Sequence, residues 1–369
     1  MKIDRRVLIN FEWVLPVLVL SICAIGLLNL YSAGYNLLHA SATPAHVKQM
    51  YWIVIGLILV IPVVFVDYHV IVRYGYLLYG LSILLLIAVF LYGQATHGSQ
   101  RWLVLWGFSF QPSELVKLTM IIALTKFIDE HKVPGGYTIH TLLIPFAMVV
   151  IPCLMILKQP DLGTALFLGI LFCSIILFVG IEKRTLIALG GAGLFLLPVL
   201  WFFMKEYQKE RLLTFLNPEL DPLGSGYHII QSIIAIGSGG IAGKGFLKGT
   251  QSQLKFLPEQ QTDFVFSVFA EEWGFLGVIV LLFLFVTLLS WGFHIGRRAR
   301  DLPGLMIAYG ATMLIFWAMF INMGMVLGLL PVVGIPLPFM SYGGSSMVVL
   351  LISMGLVMNV SMRRFVLQP

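Results

Sequence analysis

Apolar runs about as long as a membrane-spanning helix recur along the whole chain. Examples are Val14–Tyr31, Tyr74–Tyr92, Gly163–Ile181, Thr185–Phe203 and Trp273–Gly296. A helix needs about 20 predominantly apolar residues to cross the hydrocarbon of a bilayer. Of the 369 residues, 59% are hydrophobic and only 11% are charged. In soluble domains roughly half of the residues are apolar and roughly a quarter are charged. The chain is therefore expected to be an integral membrane protein.

The spacing of the apolar runs predicts an all-α polytopic bundle of about ten transmembrane helices, which forms a single membrane domain over residues 1–369. The predicted spans are 11–31, 50–66, 74–92, 112–128, 141–157, 163–181, 185–203, 264–296, 304–330 and 345–361. A long loop, residues 204–262, separates the seventh and eighth spans. Long ordered loops are usually functional, and Tyr227–Ile236 is apolar enough to lie against the membrane or the bundle.

Charge asymmetry between the loops predicts the orientation of the chain. An even number of spans places both termini on one side of the membrane. With the termini in the cytoplasm, the short outer loops hold only Lys48, Arg101 and Lys158, while the other short loops hold most of the Lys and Arg residues, which is the positive-inside pattern. The net charge of +6 follows from these loops and does not indicate nucleic-acid binding. The long loop is then extracytoplasmic.

Glu114 and Lys117 lie three residues apart in the fourth predicted span, on one helical face. Ionisable groups inside a membrane usually face a partner or a watery cavity, and a mutual ion pair is expected here. One interpretation is a structural link between helices, and the other is a positioned pair in a cavity open to the outer face. The second is favoured because other polar groups are expected at the same level: Arg101, Gln111, Ser113 and Asp161.

Arg101 and Trp102 lie in the outer loop before this span. A guanidinium beside an aromatic ring is suited to bidentate binding of a phosphate, but an Arg-Trp pair is also a common interfacial anchor. Asp161, at the start of the sixth span, is by position alone the expected helix cap.

Asp263 opens the eighth span between the polar segment 256–262 and the apolar residues Phe264 and Val265. The helix dipole keeps such a carboxylate ionised, whereas apolar neighbours raise its proton affinity. A general base needs such opposed influences. The alternative is a helix cap formed by Thr262 or Asp263.

Two glycine-rich stretches complete the candidate features. Residues 341–346, Ser-Tyr-Gly-Gly-Ser-Ser, follow the proline-rich run 330–338, and irregular backbone at membrane depth is tolerated where it lines a cavity. Ser341 and Ser345 are therefore candidate substrate-binding residues. Residues 237–245 contain a G-x-G-x-x-A pattern, but no strand precedes it and no Ser or Thr follows Lys244. This match to a nucleotide site is weak, and a phosphate-tolerant turn is the expectation.

In combination, these motifs resemble the SEDS family of peptidoglycan polymerases, and 249–251 and 329–334 resemble its elongation branch. Gln261 departs from the residue that relatives often carry before Thr-Asp. The matching segments are 100–102, 110–114 with Lys117, 159–164, 221–228, 231–245, 249–254, 257–259, 262–264, 271–272 and 341–346.

The resemblance implies polymerisation of lipid II into β-1,4 glycan with release of undecaprenyl pyrophosphate. Asp263 is then the general base, Arg101, Lys117 and, as a weaker candidate, Lys48 face the pyrophosphate, Glu114 holds Lys117, and Asp161 holds Arg101 or the helix mouth. A class B penicillin-binding protein and other elongation-complex proteins are implied partners. No cofactor is evident; a divalent cation such as Mg²⁺ at the pyrophosphate stays open.

Two other functions fit the sequence. A lipid II flippase also needs buried charge and a lipid-sized cavity, but it predicts charged groups near the midplane or on both sides. A non-catalytic scaffold that recruits another polymerase is the third alternative.

Overall fold

The computed structural model describes residues 12–35, 43–96, 99–105, 108–133, 135–204, 206–218, 221, 224–254, 256–257 and 259–364. The chain is an all-α membrane protein with one small sheet. In this part of the chain the helices are α1 Val14–Ala33, α2 Ala45–Phe65, α3 Tyr68–Arg73, α4 Gly75–Tyr92, α5 Pro112–Glu130, α6 Leu143–Lys158, α7 Leu162–Val179, α8 Lys183–Phe203, α9 Glu206–Leu216, α10 Ser225–Ser238, α11 Thr250–Gln253, α12 Val265–Arg297, α13 Leu302–Val326 and α14 Gly344–Arg363.

Within the described ranges, seven helices are long and apolar enough to cross a membrane: α1, α2, α4, α7, α12, α13 and α14. The predicted polytopic membrane architecture is thus confirmed. The other three predicted spans are also helical and coincide with α5, α6 and α8. Helix α5 carries more charge than the others, and α6 is an apolar helix of 16 residues.

The first and the last described residues of the chain meet at one end of the bundle. Arg364, just after α14, forms an ion pair of 2.7 Å with Glu12, just before α1. Trp291 near the end of α12 donates a hydrogen bond of 2.7 Å to the same glutamate. Because α14 has 20 residues, its first residue lies about 30 Å away along the helix axis. The segment before α14 therefore belongs to the opposite end.

Helix α12 is interrupted at Gly274, which has a φ of 62° and a ψ of −164°. The glycine-rich segment 239–245 packs against this kink through backbone hydrogen bonds, such as Lys244 N–H to the Glu271 carbonyl at 3.0 Å and Phe275 N–H to the Gly240 carbonyl at 2.9 Å. A Cβ at Gly243 would lie 2.1 Å from the Glu272 carbonyl oxygen. The structure does not support a phosphate-binding turn at 237–245, because the amides of Lys244 and Gly245 donate to carbonyl groups of α12, and those of Gly239, Gly240 and Gly243 donate to carbonyl groups within 236–239.

A small antiparallel sheet precedes α5, which the sequence analysis treated as loop. Its strands are β1 Gln94–Thr96, β2 Ser99–Leu105 and β3 Phe108–Phe110, in the order β1-β2-β3. Two of the strands have only three residues, and in β2 the polar residues 99–101 are followed by the apolar residues 102–105 without alternation. The sheet matters because β2 carries Arg101 and Trp102.

The loop between α8 and α12 is largely helical in its described residues and packs on the bundle. Ser232 of α10 is fully buried and lies 2.9 Å from the Ser267 hydroxyl of α12. The Ser232 hydroxyl donates a hydrogen bond of 2.6 Å to the Val326 carbonyl at the end of α13. Of the two predicted placements for Tyr227–Ile236, the structure supports the one against the bundle.

Candidate active site

A cavity of about 180 Å³ lies where β2, the first turns of α5 and α7, the residues before α12 and the segment before α14 converge. Its lining is polar on several sides. The lining residues are Arg101, Trp102, Gln111, Glu114, Lys117, Asp161, Thr164, Phe167, Thr262, Asp263, Gly334, Ile335, Pro336, Tyr342, Gly343, Ser345 and Ser346. Seven residues that the sequence predicted as site residues therefore share one cavity: Arg101, Trp102, Glu114, Lys117, Asp161, Asp263 and Ser345.

Asp263 presents its carboxylate to the cavity and is not a helix cap. The N-cap position of α12 is Phe264, and no side chain caps that end. Among the described residues no hydrogen bond to the Asp263 side chain is formed; only its backbone carbonyl is bound, by Asn322 at 3.0 Å. A methyl group at Gly334 would come within 3.5 Å of Oδ2. The carboxylate is thus left available for a bound substrate.

The surroundings of Asp263 raise its pKa to about 6, mainly because the carboxyl group is buried. The negative charge of Glu259 adds to this effect, while Arg211 and Arg101 oppose it. A base with a pKa close to neutrality combines a large ionised fraction with useful proton affinity. Burial raises the pKa in the direction expected from the apolar neighbours, and the influences that oppose it here are the charges of the two arginines.

Glu114 and Lys117 form the predicted ion pair, with 2.6 Å between Oε1 and Nζ. Both side chains are more than nine-tenths buried. The Lys117 ammonium also lies 4.9 Å from the centre of the Phe167 ring. Helix α5 begins with Pro112 at its first turn and carries Glu114 there, where a carboxylate is favoured by the helix dipole.

Arg101 is held against the turn between α6 and α7. Its Nε donates to the Gln159 carbonyl at 3.3 Å, a second guanidinium nitrogen donates to the Pro160 carbonyl, and Nη1 lies 3.6 Å from Asp161 Oδ2. Asp161 also caps α7 by accepting from Thr164 N–H at 3.1 Å. Both interpretations of Asp161, as a cap and as a holder of Arg101, describe real contacts.

The segment before α14 forms the remaining wall of the cavity and is bound to neighbouring segments by hydrogen bonds. Ser345 Oγ accepts a hydrogen bond of 2.9 Å from Gln111 N–H at the entrance to α5. Ser341 is buried and lies behind the wall, where its hydroxyl donates to the Thr262 carbonyl at 2.6 Å and accepts from Leu337 N–H at 2.8 Å. The contacts of Ser341 are thus with backbone and not with the cavity.

Lys48 is not brought into the cavity. It lies in the first turn of α2, where its side chain is exposed. Two further cavity residues, Thr164 and Tyr342, are not predicted individually, because they lie inside motifs that the sequence identifies only as a whole. Asn322 lies outside the cavity lining. As a lone amide in an apolar span it is itself a signal of function or pairing.

The charges in the cavity suit the transfer of a group from an anionic leaving group. A carboxylate that can accept a proton faces the same space as two cations, Arg101 and Lys117. Among the described residues, no cluster of three or more His, Cys, Asp or Glu side chains could hold a metal ion.

Comparison with known proteins identifies the family. Residues 12–365 match the family FTSW_RODA_SPOVE, described as cell cycle protein. The chain is 42% identical over 314 residues to the peptidoglycan glycosyltransferase MrdB of Escherichia coli, with 85% of this chain and 84% of the relative covered. It is 32% identical over 431 residues to the peptidoglycan glycosyltransferase RodA of Treponema pallidum, covering 96% and 98%.

Solved structures agree over nearly the whole length. One, described as "Structural coordination of polymerization and crosslinking by a peptidoglycan synthase complex", superposes with a TM-score of 0.82 at 36% identity, covering 96% of this chain and 98% of the other. The rod shape determining protein RodA of Thermus thermophilus superposes with a TM-score of 0.71 at 29% identity and the same coverage. The chain belongs to the FtsW/RodA/SpoVE family, the SEDS family that its motifs resemble.

Proposed function

We propose that this protein is a peptidoglycan glycosyltransferase that polymerises lipid II into β-1,4 glycan strands during cell elongation and releases undecaprenyl pyrophosphate. The single observation that carries the proposal is the cavity in which Asp263, with a pKa of about 6, shares one space with Arg101 and Lys117. The names of the relatives, peptidoglycan glycosyltransferases of the MrdB and RodA type, support it.

In the proposed reaction, the Asp263 carboxylate takes the proton from the 4-hydroxyl of the acceptor N-acetylglucosamine. The hydroxyl oxygen attacks the anomeric carbon of the donor N-acetylmuramic acid as the bond from that carbon to the pyrophosphate oxygen breaks. The anomeric configuration inverts, and Asp263 is left protonated. General-base assistance of this kind is typically worth ~10²–10⁴-fold in rate.

The departing pyrophosphate gains negative charge as it leaves, and stabilisation of developing charge is often the largest single contribution to catalysis. Arg101 and Lys117 are the cations that line the cavity. Glu114 holds Lys117 in place, Asp161 holds Arg101, and Trp102 and Ser345 contact the substrate. Ser341 acts through the backbone of the wall, and Lys48, outside the cavity, is a candidate for the lipid headgroup at the membrane surface.

The proposed topology has ten transmembrane helices in a single domain over 1–369, with both termini in the cytoplasm of a bacterium. The three spans beyond the seven are α5, α6 and α8. The contact between Glu12 and Arg364 supports a common side for the two termini. The cavity then opens at the extracytoplasmic end, where the long loop of residues 204–262 lies and where lipid II is consumed.

A class B penicillin-binding protein is the proposed partner, together with other elongation-complex proteins. A polymerase supplies the strands that a transpeptidase cross-links, so the two activities are useful in one assembly. The similar solved structure is described as belonging to a complex for polymerisation and crosslinking.

The proposal is tested by reconstituting the protein and its partner with lipid II and separating the glycan products on a gel. We expect wild-type protein to make long strands, and Asp263→Asn and Asp263→Ala to make none. Asp129→Asn is a matched control, because Asp129 lies on the surface at the other end of α5. Wild-type strand length from Asp263→Ala would refute the assignment of the base. Lipid II transport into liposomes without polymer would support the flippase alternative instead.

A further inference from the structure

The carboxylate of Asp263 needs something to fix its position. No described side chain bonds to it, and the first regular turn of α12 starts two residues later, at Val265. Its place in the cavity is therefore determined by its backbone, and by whatever holds the opposite wall at Gly334. The distance between carboxylate and wall decides where an acceptor hydroxyl can sit.

One buried side chain binds both the segment that carries Asp263 and the segment that carries Gly334. Asn322, near the end of α13, is fully buried. Its amide nitrogen donates to the Asp263 carbonyl at 3.0 Å and to the Ile335 carbonyl at 2.8 Å. A primary amide has two N–H donors on one nitrogen, so a single atom joins the segment that carries Asp263 to the segment that carries Gly334.

We propose that Asn322 is a positioning residue for the reaction, which sets the separation between the Asp263 carboxylate and the cavity wall formed by Gly334, Ile335 and Pro336. The expected effect on the reaction rate rests on the proposed function. The effect on the separation of the two segments does not depend on any activity. Asn322 does not line the cavity, and it acts only through the two carbonyl groups.

The two hydrogen bonds from the Asn322 amide nitrogen explain why an asparagine is required at this position. An ionised aspartate accepts hydrogen bonds only, and alanine leaves two buried carbonyl groups without their donor, which is unfavourable. A serine hydroxyl has one proton and can serve one carbonyl at a time. The proposal therefore predicts a graded loss of function: Asn322→Ser is milder than Asn322→Ala or Asn322→Asp.

A second side chain, that of Ser341, also joins the segment before α12 to the segment before α14. The Ser341 hydroxyl bridges the Thr262 carbonyl and Leu337 N–H. When Asn322 is lost, this bridge keeps the segments attached to each other, so the wall loosens without the bundle coming apart. Water then reaches Asp263, and the pKa of its carboxyl falls towards the ordinary value, because burial is the main reason that it is raised.

Other charged groups also influence Asp263, and these variants retain all of them in the chain. They are Glu259 in the preceding segment, Arg211 of α9, Arg101 of β2 and Asp161 before α7, and all four influence its pKa. None of them is bonded to Asn322. A shift of the pH profile in Asn322→Ala is therefore assigned to solvation of Asp263 and not to loss of a charge.

The chain contains a matched control in Asn359 of α14. This asparagine is also fully buried, and its amide nitrogen likewise donates to two carbonyl groups, those of Val63 and Val66. It lies towards the end of the bundle where the termini meet, since it precedes Arg363 and Arg364 at the end of α14. Asn359→Ala removes the same double donor, together with the acceptor of a hydrogen bond from Arg363, and none of these contacts involves Asp263.

The test uses full-length protein in nanodiscs and has two readouts. With lipid II, Asn322→Ala is expected to lower the maximal polymerisation rate on the order of tenfold to a hundredfold, since misplacement by about 1 Å has such effects. The acidic limb of its pH–rate profile is expected to move to lower pH. Asn359→Ala is expected to keep the wild-type acidic limb whatever its stability.

The second readout needs no activity. Amide hydrogen exchange in Asn322→Ala is expected to rise in peptides that cover 259–264 and 331–342, and Asn359→Ala is expected to leave both unchanged. Unchanged exchange in Asn322→Ala overturns the proposal, as does an unmoved acidic limb in an active variant. If the wild type makes no polymer, the proposed function fails, and the exchange measurement still decides the inference.

Discussion

The buried pair Glu114–Lys117 makes a sharp quantitative prediction. Its charged atoms are 2.6 Å apart, and the side chains of Lys117 and Glu114 are 9% and 8% exposed. Removing one partner of such a pair leaves an uncompensated buried charge, at a cost of about 3–5 kcal/mol. We therefore expect Glu114→Gln to lower the free energy of unfolding by an amount in that range.

Replacing both partners has a different outcome. In the double variant Glu114→Gln/Lys117→Met no charge is left alone, so most of the lost stability is expected to return. Polymerisation by the double variant is expected to be lost, because the ammonium that faces the pyrophosphate is gone. The two readouts separate the structural role of the pair from its chemical role.

The control is another pair on the same helix. Lys126 and Glu130 are 3.8 Å apart, with 19% and 46% of their side chains exposed, and exposed pairs contribute about 0–1 kcal/mol. Unfolding of all variants in nanodiscs, followed by tryptophan fluorescence in denaturant, measures the differences. The reasoning is refuted if Glu114→Gln costs no more than Glu130→Gln, or if the double variant polymerises lipid II normally.

Two further substitutions test the walls of the cavity. Arg101→Lys keeps the charge but loses the forked contacts to the turn before Asp161, so a weaker substrate interaction is expected, seen as a raised KM for lipid II. Gly163→Ala places a methyl group 2.1 Å from the Val333 carbonyl oxygen and must displace the wall, whereas Gly169→Ala in the same helix meets no atom within 4 Å. A clear loss of polymerisation is expected for the first and none for the second, and equal activity would contradict the packing argument.

Membrane class and the positions of the spans were predictable because hydropathy over about 20 residues reflects the bilayer directly. The Glu114–Lys117 pair was predictable for a local reason, since residues three apart lie on one helical face. Asp263 was a candidate because it stands at a boundary between polar and apolar sequence. In each case the signal lies within a few residues of the feature.

The features that the sequence did not reveal depend on contacts between distant segments. The surroundings of Asp263 are formed by residues far away in the chain: Asn322 binds its backbone carbonyl, and Gly334 lies beside its carboxylate. The kink at Gly274 depends on segment 239–245, which supplies hydrogen bonds to both sides of it. That Lys48 lies outside the cavity was not predictable, because its position in an outer loop does not indicate the direction in which its side chain points.

The proposed mechanism depends most on the ionisation of Asp263 in the cavity. The pKa of its carboxyl group is raised from 3.8 to about 6, so the base is ionised above that pH and loses its function as the pH falls through it. The direct measurement is the rate of lipid II polymerisation by the wild-type protein and partner between pH 4 and 8, at saturating substrate. If Asp263 is the general base, the polymerisation rate falls on the acidic side of the pH profile with a midpoint near pH 6. A rate that stays constant down to pH 4.5 would contradict this role.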